Sequence, residues 1–305
     1  MTLSRFLLTA ILAGAFQIPL AAWGEHTHQG IWWASPAGSE NGWGLNITHQ
    51  GNTLFATWFT YDTDGSPMWL VMSNGMRQMD TTYEGGYYGG GMMSYYNNTY
   101  QGDLYRTAGP AFNAATFDPG AVVSTPVGTM SLNFDDMNSP SLTYTVNGVT
   151  QTKTLTRQVF ANPVPECDDS MPGTSATPNY QDLWWRSPAG SEAGWGVNII
   201  HQGNTIFATW FTYSPSGKGM WYVMANGERA ADGSFGGALY SAHGPAFNSV
   251  PWDASKFGVI PVGTGKFTFS DHDNGVFDYT VDGITQSKPI MRTAYSSPVS
   301  NCRFP

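Results

Sequence analysis

The chain has 305 residues, of which 41% are hydrophobic and 14% aromatic, enough apolar material to fill two cores of ordinary size. Charged residues make up only 11%, and the formal net charge is -9. Without a basic surface to neutralise phosphates, nucleic acid and anionic membrane surfaces are excluded as expected partners.

Residues 1–24 place Arg5 ahead of the apolar run FLLTAILAGAF and the small-residue segment LAAWG. That is the layout of a secretory signal peptide, with cleavage expected after Ala22 or Gly24. The run is short for a membrane span, and no later segment is long and apolar enough to be one. The expected location is therefore periplasmic or extracellular, with no membrane span and, since no Cys follows the signal, no lipid anchor. The EHTH segment that follows invites a metal-site reading. His26 and His28 have no histidine counterparts before Trp184, so a mobile terminus is the plainer expectation.

The rest of the chain is one unit used twice. SPAGSENGWGLNITHQGNTLFATWFTY at 35–61 returns as SPAGSEAGWGVNIIHQGNTIFATWFTY at 187–213, and Trp69 returns as Trp221, an offset of 152 residues. Further on, GPAFN at 109–113 recurs at 244–248 and Cys167 recurs as Cys302, an offset of 135. The difference is an insertion in the first copy, within 76–101, rich in Gly, Tyr and Met. The units are thus 25–167 and 180–305, joined by a Pro, Ser and Thr-rich linker at 168–179.

Gly-Asn in HQGNT, and Asn-Gly or Asp-Gly in YTVNGVTQT and YTVDGITQS, are hairpin signals between runs of β-formers. No segment has a convincing helical period. The expectation is all-β: two tandem antiparallel meanders of six to eight strands, each a β-barrel or barrel-like sandwich, because a long meander closes to remove its edges.

A two-residue turn at Gly51 and Asn52 places Trp43, Leu45, Ile47, His49, Leu54, Ala56 and Trp58 on one side of the sheet, the core side. Asn46, Phe55, Phe59 and Tyr61 fall on the other, and pairing Asp62 with Ser66 adds Trp69 to them. Asn198, Phe207, Phe211, Tyr213 and Trp221 form the same face in the second unit. Flat rings beside amides and hydroxyls suit a glycan or another small cyclic ligand. The competing reading is that this face is itself covered by protein.

Two cysteines in an export context suggest a structural disulfide, Cys167 to Cys302, joining the ends of the units; a metal site and a cofactor are not expected. Glu40 and Glu192 lie in the loop before the strand that carries His49 and His201. A Glu and His pair could support general acid–base hydrolysis, though a hydrogen-bonded structural histidine is the more ordinary outcome, and no nucleophile elbow or second repeated carboxylate accompanies it. Lys153 and Arg157 recur as Lys288 and Arg292, placed to pair with Glu40 and Glu192 at a barrel seam. DTDG at 62–65 looks like part of a calcium loop, but its counterpart SPSG lacks both carboxylates, so a plain turn explains both. Met76, Met79, Met92 and Met93 in the insertion could form a copper-binding or apolar-ligand lid, though an extended hairpin or flexible loop is the more ordinary expectation. Asn97-Asn98-Thr99 matches the glycosylation acceptor pattern.

GWGLNITHQGNTLFATWFTYDTDGSPMWLV, followed by TYTVNGVTQTKTLTRQVF, resembles a group of exported proteobacterial proteins in which a GWG-N-HQG-FATWFTYD-G-P-W unit occurs singly or in tandem. The likeness spans nearly the whole chain after residue 24, departing from the pattern at Ser214 to Gly219. It implies export and a repeated β unit, and no reaction. The functional expectation is an exported, non-catalytic binding protein. The alternatives are a hydrolase and an envelope structural protein with no small-molecule ligand.

Overall fold

The structure, a computed structural model, describes residues 27–84, 91–136, 139–168 and 178–305. The expected signal peptide, His26 and most of the expected linker lie outside the described residues, and the side chains of 82–93, including Met92 and Met93, are also not described.

The protein is all-β, built from two closed barrels of eight antiparallel strands in simple sequence order. The first barrel comprises β1 (Gly30–Ala34), β2 (Gly44–Gln50), β3 (Thr53–Tyr61), β4 (Pro67–Glu84), β5 (Gly91–Ala108), β6 (Val123–Asn133), β7 (Ser141–Val146) and β8 (Val149–Arg157), with β1 pairing β8 to close it. A short strand β9 (Glu166–Asp168) follows. The second barrel comprises β10 (Asp182–Arg186), β11 (Gly196–Gln202), β12 (Thr205–Tyr213), β13 (Gly219–Arg229), β14 (Phe235–His243), β15 (Gly258–Phe269), β16 (Asn274–Val281) and β17 (Ile284–Arg292), closed by β10 on β17. The last strand, β18 (Asn301–Arg303), pairs with β9 and brings Cys302 opposite Cys167 in a formed disulfide.

Local chemistry sets the register. His49 faces Leu54 and Gln50 faces Thr53, leaving Gly51 and Asn52 as the turn. Gly51 has φ +56°, and a Cβ there would stand 2.4 Å from the Ser297 carbonyl oxygen; Gly203 meets Asn162 in the same way at 2.3 Å. Glycine is thus required both for the turn and for the chain that crosses it. Asn147-Gly148 and Asp282-Gly283 have positive φ at both positions, the two-residue turn that matches strand twist.

Alternation then fills the barrels. Trp43, Leu45, Ile47, Leu54, Ala56, Trp58, Leu70 and Met72 lie in the first core, and Trp195, Val197, Ile199, Ile206, Ala208, Trp210, Tyr222 and Met224 in the second. Among the described residues the insertion adds to the sheet. It lengthens one hairpin, so that β4 and β5 run for 18 residues each where β13 and β14 have 11 and 9. Arg77 braces that hairpin, donating to the Asn97 carbonyl at 2.6 Å and to Asn98 Oδ1 at 2.7 Å. Met76, Met79, Tyr95 and Tyr96 are exposed on it.

Candidate functional site

The aromatic and amide faces of the two units lie against each other. Ile31, Phe55, Phe59, Tyr61, Trp69 and Val71 from the first barrel form one continuous buried cluster with Ile200, Phe207, Phe211, Tyr213, Trp221 and Val223 from the second. Contacts come in reciprocal pairs. Trp69 Nε1 donates to the Thr212 carbonyl at 3.2 Å, and Trp221 Nε1 to the Thr60 carbonyl at 3.0 Å. Asn46 Nδ2 donates to Thr209 Oγ1 at 3.3 Å, and Asn198 Nδ2 to Thr57 Oγ1 at 3.0 Å. Phe59 meets the Trp221 ring at 5.2 Å between centroids, and Phe211 meets Trp69 at 5.5 Å. Tyr61 and Tyr213 donate their hydroxyls to the Gly42 and Gly194 carbonyls. Phe55 packs on Tyr295 and Phe207 on Phe160, chain segments that cross from the end of the opposite unit.

This corrects the expectation of an open binding face. All ten residues proposed for ligand contact are buried, Trp69 at 6% exposure and Trp221 at 2%. Flat rings and amide donors that would suit a cyclic ligand also suit the duplicated face, because rings of the two units meet edge-on or tilted and the Trp69, Trp221, Asn46 and Asn198 donors find acceptors across the junction.

The Glu and His candidates are placed apart and are each engaged elsewhere. Glu40, in the loop before β2, accepts from Trp43 Nε1 at 2.9 Å and from Lys153 Nζ at 2.6 Å. Glu192 takes Trp195 at 2.9 Å, Lys288 at 3.0 Å and Arg186 at 3.3 Å. The seam pairing expected of the lysines is present. The arginines differ: Arg292 pairs with Asp182 at 2.5 Å, while Arg157 lies over the Trp32 ring at 4.9 Å. His49 sits near the far end of β2, its Nδ1 accepting from the His28 amide at 3.2 Å and its Nε2 held 2.8 Å from the Gly51 carbonyl. His201 accepts from the Tyr180 amide at 3.2 Å. Burial lowers both imidazole pKa values to about 4, even though the bonds to Gly51 and Gly203 work in the opposite direction, so both rings are neutral near pH 7. His28 is not a mobile residue either: it is buried and stacks on Phe134 at 3.8 Å, where Tyr180 stacks on Phe269 at 3.8 Å. Among the described residues no group of three or more His, Cys, Asp or Glu side chains could hold a metal ion. Asp62 and Asp64 form a turn closed by ion pairs to Arg106 and Lys218.

The sequence reading missed what the GPAFN segments do. Each crosses to the other unit: Phe112 is buried in the second barrel's core and Phe247 in the first. The amides of Phe112 and Phe247 donate to the carbonyls of Tyr213 and Tyr61, at 3.0 and 2.9 Å, at the ends of β12 and β3. Tyr144 donates its hydroxyl to the Phe247 carbonyl at 2.8 Å.

Beside Phe247, at the mouth of the first barrel, lies a cavity of about 270 Å³. Met68, Leu70, Val127, Val146, Val149 and Phe247 give it apolar walls, and Asp62, Arg106 and Asn147 stand among its polar lining. The second barrel carries Tyr222 where the first has Leu70. The Tyr222 ring is buried, 5.7 Å from Phe112 and 5.3 Å from Trp210. Its hydroxyl pKa is raised by burial and then by the nearby carboxylate of Asp282, the counterpart of Asn147. The phenol thus takes the sequence position of Leu70, packed against the crossing phenylalanine of the other unit. The Leu70 and Tyr222 difference was visible between the aligned repeats, but its meaning needed the crossing segment.

No protein-family model matches the chain, and no curated protein matches it. No helix among the described residues is long and apolar enough to cross a membrane.

Proposed function

We propose that this is an exported, non-catalytic binding protein that takes a small aryl ligand, a single hydroxylated ring, at the mouth of its first barrel. The observation that carries the reading is the cavity beside Leu70 and Phe247, at whose counterpart position the second barrel places the phenol of Tyr222 against Phe112. A protein side chain thus serves as the template for the ligand. A volume of about 270 Å³ falls just under the roughly 300–1,000 Å³ typical of drug-sized sites. One ring fits that description better than an oligosaccharide. The ligand class moves accordingly from a glycan on the buried face to an aryl alcohol at the barrel mouth.

The non-catalytic part of the reading rests on the engaged states of Glu40, Glu192, His49 and His201, whose hydrogen bonds run to Trp, Lys and backbone partners and not to one another. Export is supported by the character of residues 1–24 and by the disulfide.

The test is a titration of the mature protein with p-cresol, followed by amide NMR shifts. Saturable shifts around Leu70, Val146 and Phe247 are expected, and Leu70→Tyr should weaken binding at least tenfold while leaving melting nearly unchanged. Binding that ignores Leu70→Tyr, or no saturable shift, rejects the reading.

A further inference from the structure

A second opening in the first unit has a different chemistry. About 360 Å³ of space lies at the barrel seam, lined by Ala34, Ser35, Ser39, Glu40, Lys153 and Thr154 among others. In the second unit the residue in the place of Ala34 is Arg186. Its guanidinium bridges two acceptors there, with Nε 3.3 Å from Glu192 Oε1 and a terminal nitrogen 3.2 Å from the Pro289 carbonyl oxygen.

Both acceptors exist in the first unit. The Thr154 carbonyl corresponds to that of Pro289: it accepts the Ser35 amide at 2.9 Å, as Pro289 accepts that of Ser187 at 2.9 Å. A carbonyl has a second lone pair for another donor. Glu40 uses Oε2 for both Trp43 and Lys153, whereas Glu192 also engages Oε1, with Lys288 at 3.0 Å and with Arg186. Among the described residues no side chain donates to Glu40 Oε1. Lys153 is placed on Oε2, with its ammonium 5.5 Å from the Trp43 ring centre and 5.8 Å from that of Trp252. That the carboxylate tolerates two cations is shown by Glu192, which carries Lys288 and Arg186 together.

We infer that the Glu40 seam of the first unit is a binding site for a guanidinium group, held by Glu40 Oε1 and the Thr154 carbonyl in the place that Arg186 occupies in the second unit. The geometry selects guanidinium over a simple ammonium, because one planar fork must reach a carboxylate and a carbonyl at once. The group can belong to a small molecule or to an arginine side chain of a peptide.

Agmatine and a capped Gly-Arg-Gly peptide, titrated separately and followed by amide NMR, test this. Wild type should show one saturable site centred on Ser35, Glu40 and Thr154 for at least one probe, and the tighter probe identifies the source. Ala34→Arg supplies the guanidinium from within and should weaken probe binding at least tenfold. Arg186→Ala should open the equivalent site beside Glu192 and raise the stoichiometry from one to two. Leu70→Tyr should leave guanidinium binding unchanged, so failure of the aryl site and failure of this one are separable. Neither probe binding to wild type, undiminished binding by a folded Ala34→Arg variant, or no second site in Arg186→Ala would overturn the inference.

Discussion

Phe112 and Phe247 occupy each other's barrels: the first unit's phenylalanine lies in the second unit's core, 5.6 Å from Trp210, and the second unit's lies in the first, 6.1 Å from Trp58. Each barrel therefore depends on a side chain that its own unit does not provide. The two units should unfold as one cooperative body. Phe112→Ala and Phe247→Ala should each cost about 3–5 kcal/mol, the range for removing a buried phenylalanine. Residues 25–167 expressed alone, lacking Phe247, should fail to give a sharp melting transition in calorimetry. A separately folded unit with unchanged stability would contradict the exchange.

Trp69 and Trp221 are structural in this arrangement. Replacing either with alanine removes an indole from the cluster between the barrels together with its hydrogen bond to the Thr212 or Thr60 carbonyl. Each change should cost about 3–5 kcal/mol in urea denaturation. A variant that melts like wild type would place the indoles outside the packed junction.

Histidine burial sets a pH dependence. In the folded protein His49 and His201 hold pKa values of about 4, while the unfolded chain has the ordinary value near 6.5. Above pH 6.5 neither state takes up the proton and the stability is fully present. As pH falls from 6.5 towards 4 the unfolded state binds protons that the folded state refuses, so stability is lost, by roughly 3 kcal/mol per histidine across the window. His28, whose pKa is lowered by burial and then by His49, adds in the same direction. Urea midpoints at pH 7.5 and pH 5 should differ accordingly, and His49→Gln with His201→Gln should flatten the slope. Equal midpoints in wild type would rule out neutral buried imidazoles.

The disulfide closes a loop of 135 residues between the ends of the two units. Chain entropy gives up to about 5 kcal/mol for a loop of that length. Cys167→Ser with Cys302→Ser should lower the melting temperature without changing the near-UV signature of the aromatic core, since both barrels close independently of the β9 and β18 pair. An unchanged melting temperature would contradict an entropic role for the bond in the unfolded chain.

The register was legible in the residues themselves. Gly51-Asn52 pins a two-residue turn, and alternation from that point sends Trp43, Leu45, Ile47 and Trp58 inward and Asn46, Phe55, Phe59 and Trp69 outward, as they lie in the structure. Asp62 and Ser66 close the next turn as expected, with the Asp62 amide bonded to the Ser66 carbonyl at 2.9 Å. The lysine and glutamate pairing at the seams was readable from their shared recurrence. Two things were not readable: that GPAFN crosses between units, and what an Arg or Tyr in one copy packs against where the other has an Ala or Leu.

From its sequence alone, then, this protein is determined to be β throughout, duplicated, and two-faced, because side-chain alternation and turn chemistry are local and act over a few residues. What covers the second face was decided only by tertiary structure. An aromatic ring and an amide are complementary to a ligand and to a copy of themselves by the same physics, and only the path of the chain between the barrels selects the copy.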